Sequence, residues 1–128
     1  MSVPRKRSRV PSPPLTWDAF KSLVKAFPAV EDGTSWGTPA VKVGKKMLAR
    51  LREDGDSVVI GVDIDQRTLL VQADPDVFYY TDHYANYPAV LIRLSAARAE
   101  DVTDLIEQAW RDTAPKKVVA AYDAERDE

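Results

Sequence analysis

The side chains that could do chemistry in this sequence fall into two stretches. The first holds Lys42, Lys45, Lys46, Arg50 and Arg52, with no acid between Gly33 and Arg52. Ammonium and guanidinium groups at that density can neutralise phosphates and release their counterions, which suits contact with a nucleic-acid backbone. The same charges also suit a merely solvated sheet face. The second stretch, residues 81–88, holds the only histidine, His83, beside Tyr84 and Tyr87. An imidazole titrates near neutrality and could serve as a general base or a pH switch. Ser35, Ser57, Ser95 and the many aspartates leave a Ser–His–Asp arrangement open, but no nucleophile motif surrounds any of the serines. The expected role of His83 is to order its loop through hydrogen bonds, and no catalytic residue is assigned.

Other groups narrow the chemistry further. The chain has no cysteine, which removes disulfides, thiolate metal sites and a thiol nucleophile. With a single histidine, a metal site would have to be built from carboxylates, and none is expected. The pairs Asp54/Asp56, Asp63/Asp65 and Asp74/Asp76 lack the spacing of a calcium loop and read as turn or cap residues. The five glycines are scattered, so phosphate-loop and dinucleotide patterns are absent and no cofactor is expected. Trp36, Tyr79, Tyr80, Tyr84 and Tyr87 could stack on bases, line a small-molecule pocket, or simply fill core and rim.

Length and charge set the frame. A chain of 128 residues with 45% hydrophobic and 30% charged residues fits one folded domain with an adequate core. Arg5, Lys6, Arg7 and Arg9 lie in the first fourteen residues, among four prolines and three serines. Taking those four from the 18 Lys and Arg leaves 14 against 20 Asp and Glu, so the body is acidic and any phosphate contact must be local. Residues 53–82 alone carry eight acids and one base, Arg67. Residues 1–14 read as a disordered tail that could act as a basic arm, 15–122 as the domain, and 123–128 as a charged tail too apolar-poor to pack. No apolar run reaches the ~18–20 residues of a membrane helix, and no apolar segment follows the basic patch as in a secretory signal. A cytoplasmic monomer is the expectation.

The elements that must position these groups follow from periodicity. Thr16 caps a helix in which Trp17, Phe20, Leu23, Val24 and Phe27 recur at helical spacing until Pro28. Residues 40–43 and 47–52 read as a hairpin. A three-residue loop, Gly44 to Lys46, is favoured because it sets Val41 and Val43 opposite Ala49 and Met47, with Lys42, Leu48, Arg50 and Arg52 on the other face. Strands are expected at 57–62, 77–80 and 89–94, with a short helix at 66–73 capped by Asp65. Val102, Leu105, Ile106, Ala109 and Trp110 form one apolar stripe of a helix ending before Pro115, with Glu100, Asp101, Asp104 and Glu107 outside. The order gives an α+β fold, an antiparallel sheet with helices on one face.

Four segments in order carry a resemblance covering about residues 15 to 120. They are the helix to Pro28, EDGTSWGTPAVKVGKKMLARL, DPDVFYYTDHYANYPAVLIRL and AWRDTAPKKV. Together they resemble the MmcQ/YjbR-like family of small bacterial proteins. The resemblance implies a CyaY-like (frataxin-like) α/β sandwich and a "double-wing" DNA-binding motif, in which two β-hairpins grip DNA. Carried onto this sequence, it sets Lys42, Lys45, Lys46, Arg50 and Arg52 on one wing, with Arg5, Lys6, Arg7 and Arg9 as an added arm. An acidic 53–82 segment makes a poor second wing. The first helix offers only Asp18, beside Lys21 and Lys25, so the acidic ridge of iron-handling frataxin-like proteins is missing. Two functions follow: weak, salt-sensitive DNA contact through the hairpin and arm, or a non-enzymatic protein- or small-molecule-binding module using Trp36, His83, Tyr84 and Tyr87.

Overall fold

The computed structural model describes residues 13–126, so Arg5, Lys6, Arg7 and Arg9 lie outside the described residues. Helix α1, Trp17–Lys25, starts where Thr16 accepts a hydrogen bond from the Ala19 N–H. The chain then builds β1 (Val30–Ser35), β2 (Thr38–Val43), β3 (Lys46–Leu51) and β4 (Ser57–Gly61) as successive antiparallel neighbours. Helix α2 (Ile64–Ala73) leads to β5 (Phe78–Tyr79), and β6 (Ala89–Arg93) inserts between β4 and β5. Helices α3 (Ala99–Thr113) and α4 (Lys116–Arg126) follow.

The helical side of the sheet holds the main core. Val41, Val43, Ala49, Val58, Ile60, Val90 and Ile92 meet Phe20 and Val24 of α1 and the predicted stripe of α3, from Val102 to Trp110. Strand alternation puts Val59, Ala89 and Leu91 on the opposite face, covered by Tyr79 and Tyr84 in place of a helix. That second face positions the site described below. The α+β architecture with a helix-covered antiparallel sheet is thus the observed one.

Four details differ from the sequence reading, each for a local reason. Strand β1 is not among the strands expected above, because VEDGTS has little apolar content and exposed acids. Its order comes from the ladder to β2, closed by Trp36 and Gly37 at φ 56° and 79° in a two-residue turn. The β2–β3 loop also has two residues, Gly44 and Lys45, at φ 58° and 73°. It puts Lys42 opposite Met47, and a bulge at Leu48 then restores the Val41–Ala49 pairing. The bulge turns Leu48 into the core and leaves Met47 exposed, the reverse of the predicted faces.

Asp63, not Asp65, caps α2, accepting from the Asp65 and Gln66 N–H groups, because the helix begins two residues earlier. Finally, α4 runs past 122: Tyr122 packs tilted against Phe27 and edge-on against Trp110, and Arg111 binds the Asp123 carboxylate through both terminal nitrogens at 3.0 and 2.8 Å. These bonds hold the Asp123 carboxyl below the usual aspartate range.

Candidate functional site

The non-helical face of the sheet carries an open groove of about 490 Å³, lined by Trp36, Met47, Arg50, Glu53, Val59, His83, Tyr84 and Tyr87. Its floor is β3 and β4, which supply Met47, Arg50 and Val59. Trp36 reaches it from the β1–β2 turn, and the three ring residues reach it from the loop between β5 and β6. The four residues of the predicted ligand site therefore converge, although Trp36 and His83 are far apart in sequence.

The wall formed by the 3₁₀ turn Asp82–Tyr84 and the residues after it is a ring cluster. His83 meets Tyr84 edge-on at 4.8 Å and Tyr87 at 6.2 Å, and Tyr84 meets Tyr87 at 6.1 Å. His83 is exposed and Ser57 does not bond to it. The Ser57 hydroxyl instead joins the Asp54 carboxylate at 2.8 Å and the Tyr79 hydroxyl, so it is a buried turn staple. Among the described residues no three His, Asp or Glu side chains gather as a metal site.

Trp36 is the outlier of the site. It is 87% exposed and sits at positive φ, where an ordinary L-residue is disfavoured by about 1–2 kcal/mol. Asn-Gly is the favoured pair for such turns. Trp36→Asn is therefore expected to raise stability by about 1 kcal/mol in urea unfolding while removing one wall of the groove. Unchanged or reduced stability would contradict the strain argument.

Arg50 lies at the groove floor, 7% exposed. Its Nη1 donates to the Thr38 hydroxyl at 3.0 Å and its Nη2 to the Tyr84 hydroxyl at 3.2 Å, with Glu53 at 3.6 Å. It is thus a buried tie between strand and loop, not a charge on a solvated rim. Lys42 is half-buried and lies over Gly33, where an added Cβ would meet its Cδ and Cε at 3.2 Å. Lys45 and Lys46 are exposed at the tip, and Arg52, half-buried, lies near Asp54. From Lys46 to Arg52 the strand rise separates the charges by roughly 20 Å. The five basic residues form two separate ends and a buried middle.

The residue that sequence reasoning missed is Arg67. It is 4% exposed, and its Nη1 donates to the carbonyls of Tyr84, Tyr87 and Ala89 at 2.9, 3.0 and 3.1 Å, while Nη2 donates to Ala85 at 2.9 Å. Its guanidinium also stacks 3.9 Å from the Tyr80 ring centroid. One side chain therefore fixes the backbone that presents His83, Tyr84 and Tyr87. A signal did exist: Arg67, Leu70 and Val71 follow i, i+3, i+4, which puts the only base of an acidic segment on the helix's inner face.

The β3–β4 turn beside Glu53 is held by Asp54. Burial acts to raise this carboxyl's pKa, but the Asp56 N–H, the Ser57 hydroxyl and N–H, and the Arg52 charge outweigh it and keep it below the ordinary 3.8. A depressed folded-state value gives stability that is present above pH 4 and lost as pH falls through it. Asp54→Asn is expected to lower the urea midpoint at neutral pH and to flatten its decline below about pH 4. An acid limb as steep as in the unsubstituted protein would exclude this linkage.

The fold and site together define a small α+β domain with an aromatic groove on the open face of its sheet. The YjbR family model matches residues 25–112, and this chain belongs to the YjbR family. An uncharacterised protein of Mycobacterium tuberculosis and one of Mycobacterium bovis are each 30% identical over 122 residues, covering 84% of this chain and 95% of the relative. The crystal structure of the Deinococcus radiodurans protein DR2400, of the domain family DUF419, shares the fold at a TM-score of 0.64 and 22% identity, covering 77% of this chain and 78% of that one. No described helix is long and apolar enough to cross a membrane.

Proposed function

We propose that this protein is a non-catalytic binding module that holds a flat aromatic ligand in the groove between Trp36 and the His83–Tyr84–Tyr87 wall. One observation carries the reading. Of the six large hydrophobic side chains exposed among the described residues, Trp36, Met47 and Tyr87 line this groove. Scattered apolar side chains are ordinary on a surface, but a contiguous set around a concavity marks a binding site. We place the module in the cytoplasm as a monomer, a setting consistent with a chain that has no cysteine.

A thermal-shift screen with heteroaromatic compounds tests the reading. A ligand at ten times its Kd adds about 1.4 kcal/mol, which is several degrees for a domain of this size. Trp36→Ala is expected to erase the shift. A screen without hits, or hits that survive Trp36→Ala, would overturn it.

A second reading, contact with nucleic-acid phosphates, is favoured by the placement of Lys45 and Lys46. Their turn abuts Pro115, where a Cβ on Gly44 would lie 3.5 Å from the ring, so exposed Lys116 and Lys117 follow in the same neighbourhood. About four phosphate contacts would make log K fall with log salt at a slope near −3.6. Anisotropy titration of a labelled duplex at low and physiological salt decides it. Binding unaltered by Lys45→Ala with Lys46→Ala, or undetectable at low salt, would rule this surface out.

A further inference from the structure

Resting on the groove reading, we infer that the occupant of the groove is a guanine ring, stacked against its aromatic walls and read along one edge by Glu53 and the groups around Arg50. The groove offers polar groups besides its rings. Glu53 presents two acceptor oxygens from a largely exposed side chain, at the same end as the Arg50 guanidinium. Arg50 has five N–H donors; its bonds to Thr38 and Tyr84 occupy two of them, and its Nη1 also lies 3.6 Å from one Glu53 oxygen, so a ligand edge competes with that ion pair and not with a hydrogen bond. The Tyr84 hydroxyl accepts from Arg50, so its own O–H is free to donate. The groove therefore sets a pair of acceptors beside a group of donors, between surfaces suited to a planar ring.

Each common base presents a different pairing edge to such a site. Guanine offers two adjacent donors, N1–H and the 2-amino group, next to the O6 acceptor. A carboxylate can take both donors at once, while an N–H or O–H beside it reaches O6. Cytosine offers one donor and two acceptors, uracil an acceptor on each side of one donor, and adenine one donor beside one acceptor. Only guanine matches a two-acceptor group flanked by donors. Stacking alone tolerates any base, because every base has a π face. Discrimination must come from the edge, where a bidentate pair is worth enough to change affinity by about tenfold or more. Trp36 supplies the second requirement, since its exposed indole at a strained turn position has no intramolecular partner ring among the described contacts of its own groove wall.

The test follows the Trp36 indole N–H by nitrogen–proton correlation spectra during titration with guanosine, adenosine, cytidine and uridine, and with indole as a ring without the edge. Guanosine is expected to bind at least about tenfold more tightly than the other nucleosides. Glu53→Gln replaces one acceptor by a donor at an exposed position and weakens the pair with Arg50; with the fold retained by circular dichroism, it is expected to bring the four nucleosides within about twofold of one another. Equal affinity for guanosine and adenosine in the unsubstituted protein would overturn the guanine assignment while leaving the groove reading intact. So would a preference that survives Glu53→Gln. If neither indole nor any nucleoside moves the Trp36 signal, both fall together. A short single-stranded thymidine oligomer with one guanine, compared with the same strand without it, separates the sources. Tighter binding than guanosine points to a base within a strand, and equal or weaker binding points to a free nucleotide.

Discussion

Replacing Arg67 by Met is expected to destabilise the protein by about 3 kcal/mol or more, and to abolish binding in the groove as well. The reason is that four carbonyl oxygens, of Tyr84, Ala85, Tyr87 and Ala89, find their donors on one guanidinium. Met keeps much of the volume and supplies none of the donors, so the carbonyls are left facing a buried apolar group. Lys at the same position restores a charge but concentrates its donors at one point, and cannot span four acceptors on a planar fork. Arg67→Lys is therefore expected to recover less than half of the loss in urea unfolding. A cost below about 1 kcal/mol for Met would mean that water or a shifted loop satisfies the carbonyls. Because Arg67 fixes the 84–87 backbone, the spectrum of His83 and Tyr84 should change in Arg67→Lys even under conditions where the fold is intact.

Trp110→Ala is expected to lower stability by about 3–5 kcal/mol, measured as a fall in the urea midpoint. Trp110 is fully buried in the α3 stripe and lies 5.2 Å from Phe27 and 5.0 Å from Tyr122, ring centre to ring centre. Its indole N–H donates to the Pro28 carbonyl at 3.0 Å, across 82 positions of chain. One side chain thus ties the end of α1, the last turns of α3 and the docking of α4. Trp110→Phe separates the contributions: it keeps a ring but strands the Pro28 oxygen, and about 1–3 kcal/mol is expected for that alone. If Ala and Phe cost the same, packing of the indole contributes little and the ledge of α4 must be held otherwise.

Much of this architecture was legible because it rests on periodicity. The α1 and α3 stripes, the alternation of Val58, Ile60 and Val62, and the pairing faces of Val90, Ile92 and Leu94 all follow from which residues must avoid water. What was not legible depends on partners far away in sequence. Strand β1 has no apolar period of its own and is ordered by the ladder of β2. The bulge at Leu48 settles a conflict in the expected register, which set Leu48 on the same face as Lys42 and Arg50. α4 depends on Tyr122 meeting Phe27 and Trp110, and on Arg111 meeting Asp123. The candidate site divides the same way. Trp36, His83, Tyr84 and Tyr87 stood out by type, since aromatics and histidine are few. Arg50 looked like surface charge, and only the loop arriving from residues 82–87 makes it a buried tie. Arg67 looked like a lone base in an acidic stretch.

The two outer strands of the sheet carry one more consequence. At one edge stands β1, whose exposed positions include Glu31 and Asp32 and whose middle is Gly33; at the other stands β5, two residues long. Charge, a glycine and brevity are the devices by which a sheet refuses an incoming strand. Among the described residues, main-chain pairing of a partner strand is therefore disfavoured at both edges. The route that these two edges leave unopposed is association through side chains on a sheet or helix face, and the same features work against fibre-like stacking of one copy upon another.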